Sequence, residues 1–236
     1  MAHMDMQPHA PVRLPVHYEP ASFCTIRHLV TAALLECCST QEFSLLNDTS
    51  LIQEVAEQCH EDLLAFAAKD PASGFDPIFI ARSYTSYAAV LHYRLAHQVH
   101  LHFGARVGDA QCLAGMLSRR GKMLSGAEIH FRSRIGERFI IDHGVGTVIG
   151  ETSVIGDDCY ILGGVTLGAR GIGHNPSGAR HPRIGNRVQI GAFSSVLGPV
   201  SIGDDVFIGP NCIISKDVPA RARVQVKTSL QMVVEP

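Results

Sequence analysis

Residues 128–168 read EIHFRSRIGERFIIDHGVGTVIGETSVIGDDCYILGGVTLG, and residues 183–214 read RIGNRVQIGAFSSVLGPVSIGDDVFIGPNCII. An aliphatic side chain returns at every sixth position. It stands at Ile129, Ile135 and Ile141, then after a slip of two at Ile149, Ile155, Ile161 and Leu167. The beat resumes at Ile184, Ile190, Val196, Ile202, Ile208 and Ile214. Gly follows the aliphatic residue at 136, 150, 156, 168, 185, 191, 203 and 209. A period of six matches neither the 3.6 of an α-helix nor the 2 of a strand. It matches a coil of three short strands, each aliphatic residue entering a narrow prism and a small residue clearing the corner. The spacing predicts a parallel β-helix of about five coils, stacked at the usual strand separation of ~4.8 Å.

Upstream the period changes to that of helices. Ile26, Leu29, Val30, Ala33 and Leu34 predict a helix over 22–38, and Ser39 to Asp48 reads as a connector. Ser50 and Gln53 have capping-box spacing ahead of a helix carrying Leu51, Ile52, Val55, Cys59, Leu63 and Phe66. That helix ends before Pro71, which disfavours helical dihedrals in the residue before it. Asp76-Pro77 reads as an N-cap with proline at the first helical position, opening one helix over roughly 77–100. A last helix is expected near 107–119. The expected organisation is a flexible arm at 1–20, an all-α domain at 21–122, the β-helix at 123–220 and a tail at 221–236.

A formal charge of −2 with mixed signs gives no electrostatic case for nucleic acid or an anionic membrane. No apolar run reaches the length of a membrane span, and a cytoplasmic protein is expected. Seven cysteines without paired zinc-ligand spacing read as a reducing-compartment set, with Cys37, Cys38, Cys159 and Cys212 as small buried hydrophobes.

Two departures from the beat carry the chemistry. Between Leu167 and Ile184 seventeen residues stand where six are due, a polar Gly-rich excursion that ends in Arg180-His181-Pro182. A long loop on a rigid scaffold is a usual place for a site. The other departure is the slip at Ile141-Asp142-His143-Gly144. His143 lies 15 residues after Glu128, about one coil, so the two can sit on neighbouring coils. A His with one nitrogen held by a carboxylate has the other free as a general base.

The combination of IDHG at 141–144, GET at 150–152 and RHP at 180–182 resembles the serine O-acetyltransferases, hexapeptide-repeat enzymes with a left-handed parallel β-helix. The resemblance extends upstream to Asp70-Pro71-Ala72 and Tyr93-Arg94-Leu95-Ala96-His97, and covers about residues 60–218. It implies acetyl transfer from acetyl-CoA to L-serine in cysteine biosynthesis, without a metal. His143 matches the catalytic base and Glu128 the acidic residue that orients it. Asp70 and Asp142 match carboxylates that hold the substrate amino group. Arg180 and His181 match the pair that engages the substrate carboxylate and hydroxyl region. Gly168, Gly191, Ala192, Gly209 and Pro210 match close-approach positions for coenzyme A.

Relatives form trimers with sites between adjacent chains, then pair through their helical domains. A homotrimer, and further a dimer of trimers, is therefore expected. The chain departs from the pattern at Phe131, Ala169, Phe193 and Asn211, and ends in Glu235-Pro236 where relatives carry the Ile that enters cysteine synthase. No stable complex with that enzyme is expected. Two other readings stay open: the same transfer to another hydroxyl acceptor, such as a hydroxy amino acid, sugar or antibiotic, and a metal site using His130, His143, His174 or His181.

Overall fold

The computed structural model describes residues 20–47, 49–103, 110–175 and 177–227. The arm at 1–19 and the tail end at 228–236, including the Glu235-Pro236 terminus, lie outside the described residues. The second half is a three-sided parallel β-helix. Its first coil holds β1 (Glu128–Ile129), β2 (Arg134–Ile135) and β3 (Ile140–Asp142). The second holds β4 (Val148–Ile149), β5 (Val154–Ile155) and β6 (Tyr160–Leu162), and the third β7 (Thr166–Gly168), β8 (Arg183–Ile184) and β9 (Gln189–Ile190). The fourth holds β10 (Ser195–Leu197), β11 (Ser201–Ile202) and β12 (Phe207–Ile208), and the chain closes with β13 (Ile213–Ile214) and β14 (Arg223–Val224). Face I stacks β1-β4-β7-β10-β13, face II β2-β5-β8-β11, and face III β3-β6-β9-β12-β14. The aliphatic beat is the register itself. Ile129, Ile149, Leu167, Val196 and Ile214 pair down face I, and Ile141, Ile161, Ile190 and Ile208 down face III. Cys159 and Cys212 are buried in this prism, whereas Cys37 and Cys38 are only half-buried. The solenoid runs past residue 220, because β14 pairs with β12.

At the corner between faces II and III, Arg138, Asp158, Arg187, Asp205 and Arg221 all adopt left-handed backbone, with φ between 54° and 63°. Their side chains stack as an alternating ladder. Arg138 grips Asp158 with bonds of 2.6 and 2.9 Å, and Arg187 grips Asp205 with bonds of 2.7 and 2.9 Å.

The first half is helical: α1 (Ala21–Cys37), α2 (Thr40–Asn47), α3 (Leu51–Ala67), α4 (Pro77–Ser83), α5 (Thr85–Phe103) and α6 (Ala110–Ser125). Three expectations are corrected. The supposed connector is α2, opened by a capping box between Ser39 and Glu42 that the sequence reading passed over. The Ser39 N–H donates to Glu42 Oε2 at 2.8 Å, and the Glu42 N–H donates to Ser39 Oγ at 3.2 Å. Ser50 makes no such box; its hydroxyl donates to Glu54 instead, and Thr49 Oγ1 accepts the Leu51 N–H. The single helix over 77–100 is two, broken at Tyr84, whose extended backbone (φ −87°, ψ 112°) turns its phenol toward Asp70. Asp76 does cap α4, accepting the Ile78 N–H. α6 runs on through Gly121, where a Cβ would stand 2.8 Å from that of His92; the glycine lets α5 and α6 close together.

The Tyr93-Arg94-Leu95-Ala96-His97 stretch of α5 is the joint between the halves. Tyr93 Oη donates to the Ser133 carbonyl at 2.8 Å and His97 Nδ1 to the Phe131 carbonyl at 2.7 Å. Arg94 donates to the Ile135 and Gly136 carbonyls and is held by Asp62 through bonds of 2.8 and 3.0 Å. Asp62 also accepts the Phe139 N–H. Among the described residues, no helix is long and apolar enough to cross a membrane.

Candidate active site

The slip in the beat lies at the corner between faces III and I. There His143 has φ 62° and is followed by Gly144 and Gly146, with φ 76° and 78°. The same corner of later coils carries left-handed Gly164, Phe193 and Asn211. A left-handed corner turns the His143 side chain out of the prism, and it is 82 % exposed. Its Nε2 lies 3.8 Å from Asp142 Oδ2. Glu128, which the 15-residue spacing set beside His143, has its carboxylate on Lys122 instead. Asp142, not Glu128, is the carboxylate within ion-pair range of His143 in this chain.

The break at Tyr84 brings the helical domain to this corner. Asp70 caps the short turn Pro71–Ser73 through the Ala72 N–H and accepts the Tyr84 hydroxyl at 2.7 Å. The Tyr84 hydroxyl is the main reason the Asp70 carboxyl titrates below its ordinary range. Asp142 accepts the Tyr160 hydroxyl at 2.9 Å. The Phe66 ring meets both phenols edge-on, at 5.6 and 6.4 Å between centroids. Burial first, then the hydrogen bond to Asp142, pushes the Tyr160 phenol well up, so it stays a neutral donor. Asp70 and Asp142 are thus brought into one cluster, each carboxylate tied by a phenol.

Arg180 and His181 are elsewhere, at the corner between faces I and II. The GET triplet holds them. Glu151 binds the Arg180 guanidinium, and Thr152 Oγ1 accepts the backbone N–H of Arg180 at 3.0 Å and of His181 at 3.1 Å. His181 Nδ1 accepts the Thr152 N–H at 3.1 Å. Its ring packs against Gly150, where a Cβ would stand 2.1 Å from the ring atoms. Desolvation, then the Arg180 charge, lowers the His181 pKa, so the ring is neutral near pH 7. Glu151 is shared with Arg132, and these two guanidinium bonds hold its carboxyl at about 2. Each side of the prism is one hexapeptide, so this corner and that of His143 are roughly 15–20 Å apart.

The positions expected from the resemblance to approach coenzyme A divide in the same way. Gly168 ends β7 at the I–II corner, while Gly191, Ala192, Gly209 and Pro210 lie at the III–I corner. Gly191 is also required by the stack, since a Cβ there would meet the Pro210 nitrogen at 2.5 Å. Phe193, 70 % exposed, covers Gly164. Among the described residues, no three His, Cys, Asp or Glu side chains converge as metal ligands would. Sequence reading assigned no role to Tyr84, Tyr160, Glu151 or Thr152. The last two stood in the GET motif, whereas nothing in the sequence paired either tyrosine with its aspartate.

Comparisons with known proteins bear on the family and the fold. Residues 181–216 match the family model for the bacterial transferase hexapeptide (six repeats). The serine acetyltransferase of Helicobacter pylori is 45 % identical over 139 residues, which are 58 % of this chain and 74 % of that protein. That of Mycobacterium tuberculosis is 42 % identical over 165 residues, 69 % of this chain and 67 % of that one. The Neisseria gonorrhoeae serine acetyltransferase solved with serine superposes with a TM-score of 0.71 at 29 % identity, covering 89 % of this chain and 83 % of that chain. Isoform 3 from Entamoeba histolytica, solved with cysteine, gives 0.70 at 30 % identity, covering 89 % and 72 %. The chain belongs to the serine acetyltransferase family.

Proposed function

We infer that the protein transfers the acetyl group of acetyl-CoA to the hydroxyl of L-serine, forming O-acetylserine and free coenzyme A. The observation that carries this reading is the meeting of Asp70 and Asp142 beside His143: two carboxylates for an ammonium, next to an exposed imidazole. His143 takes the serine hydroxyl proton as the oxygen attacks the thioester carbonyl. The resulting tetrahedral oxyanion collapses, the C–S bond breaks, and the proton on His143 passes to the departing thiolate. Tyr84 and Tyr160 fix the two carboxylates. Glu128, on the same edge, would complete the imidazole–carboxylate pair of the family by exchanging Lys122 for His143. Arg180 and His181 take the substrate carboxylate and hydroxyl region, and Gly191, Ala192, Gly209 and Pro210 leave room for the pantetheine arm.

Those two groups sit on different edges of one prism, so a complete site needs the III–I edge of one copy against the I–II edge of another. Face I, between the two edges, presents Glu128, Val148, Thr166, Ser195 and Ile213 outward in one column, uncharged past its first residue and suited to a threefold axis. This supports a homotrimer. Thiol release from acetyl-CoA, measured against L-serine, D-serine, homoserine and threonine, tests the reaction; no release with L-serine refutes it. Light scattering tests the assembly, and a monomeric mass refutes the shared site.

A further inference from the structure

A cavity of about 710 Å³ lies on the outer surface of face II, adjoining the Arg180–His181 corner through Glu151, Thr152 and His181 and extending away from it to Arg134 and Arg183. The last turns of α5 overhang it, with His97 and His100, and residues 177–179 close its far side. Its floor is a register. Arg134 of β2 pairs with Val154 of β5, and Val154 with Arg183 of β8. The two arginine stems therefore stand two strands apart, about 9.6 Å, with an apolar residue between them. Neither guanidinium has an ion-pair partner among the described residues. Arg132 adds a third cation to the wall, and Glu151 is the one carboxylate in the lining. Glu151 already serves both Arg132 and Arg180. Counting the three lining arginines against that carboxylate leaves a local charge of +2 in a chain whose net charge is −2. His100 Nδ1 is buried there without a hydrogen-bond partner. Desolvation keeps His97, His100 and His181 below their ordinary pKa, and a nearby arginine adds to the effect at each. Unpaired guanidinia in a concave site match the geometry of phosphoryl and sulfuryl oxygens.

We propose that this cavity binds a small oxyanion, a phosphate or sulfate group free or carried on a small molecule, through Arg134 and Arg183. Through Arg132 the site is coupled to Arg180. An anion that engages Arg132 leaves Glu151 wholly to Arg180, which draws that guanidinium away from the substrate carboxylate. The coupling rests on the reading of Arg180 given above; the binding does not.

The test is calorimetric titration of the full-length protein with inorganic sulfate, phosphate and pyrophosphate, comparing wild type with the Arg134→Gln/Arg183→Gln double variant. Both side chains are exposed, and an unchanged melting temperature will show that the variant folds. Saturable binding by wild type, weakened roughly tenfold or more in the variant, is expected. Equal binding by both proteins overturns the site. Competition of the anion with acetyl-CoA also overturns it, since the cavity would then be part of the co-substrate path. Preference among the three anions identifies the group. At saturating anion the serine KM should rise several-fold in wild type and not in the variant; an unchanged KM overturns the coupling.

Discussion

Removing the carboxylate of Asp62 tests how the two halves are joined. Asp62 and Arg94 have side chains only 1 % and 6 % exposed, and Arg94 reaches across to the Ile135 and Gly136 carbonyls of the first coil. In Asp62→Ala the guanidinium stays in place without its counter-charge, and the Phe139 N–H loses its acceptor. Breaking a buried pair by deleting one partner costs about 3–5 kcal/mol. At ~2.1 cal/mol/K per residue, a chain of 236 residues has an unfolding entropy near 0.5 kcal/mol/K. The melting temperature should then fall by about 6–10 °C. Circular dichroism at one fixed protein concentration measures this without mixing in a change of assembly. The serine KM should rise as well, because Asp70 reaches Asp142 only while the helical domain is seated on the coil. A fall of less than about 2 °C would refute the pair as the joint. The double variant Asp62→Leu/Arg94→Met should recover part of the loss, since no charge is left buried alone.

Other expectations follow from the site. His143→Ala should lower acetyl transfer by roughly 10²–10⁴ without changing the melting temperature, and turnover above a tenth of wild type rejects it as the base. Tyr160→Phe removes a hydrogen bond to a charged group worth about 1.5–3 kcal/mol, so the serine KM should rise roughly tenfold or more while the acetyl-CoA KM holds. Equal weakening toward both substrates would make Tyr160 a packing residue. Thr152→Val should likewise impair serine binding by releasing Arg180 and His181, and Thr152→Ser should restore it. His92, His97, His100, His130 and His181 all have pKa values lowered chiefly by burial. Their neutral forms stabilise the fold fully above about pH 6.5, and that contribution is lost as pH falls below it. The melting temperature should drop between pH 7.5 and 5.5; a rise over that range contradicts the assignment.

The β-helix was legible because its core rule is one-dimensional: a residue every sixth position meets its own counterpart one coil away. Helix breaks were harder. Tyr84 interrupts a helical pattern for the sake of a contact 14 residues back, which no local propensity encodes. The roles of IDHG and RHP could be stated from resemblance, but not that one chain keeps them on separate edges. That division depends on counting corners, and the long loop shows only that a corner has been extended, not which one. Glu128 shows the limit of spacing as an argument. Fifteen residues bring it to the right edge, yet Lys122, six residues away, takes its carboxylate.

The Arg138, Asp158, Arg187, Asp205 and Arg221 ladder has a consequence for how the chain finds its fold. Coils with nearly interchangeable Ile and Val interiors offer little to tell one neighbour from another. A chain that looped out its third coil could stack the second directly on the fourth with the aliphatic column intact. The alternating corner forbids this cheaply: Asp158 would then face Asp205, two carboxylates in place of an arginine–carboxylate fork. Skipping the second coil would set Arg138 on Arg187. The ladder thus acts as a proofreading mark, rejecting any assembly that omits one coil while leaving the correct order in opposite-charge pairs.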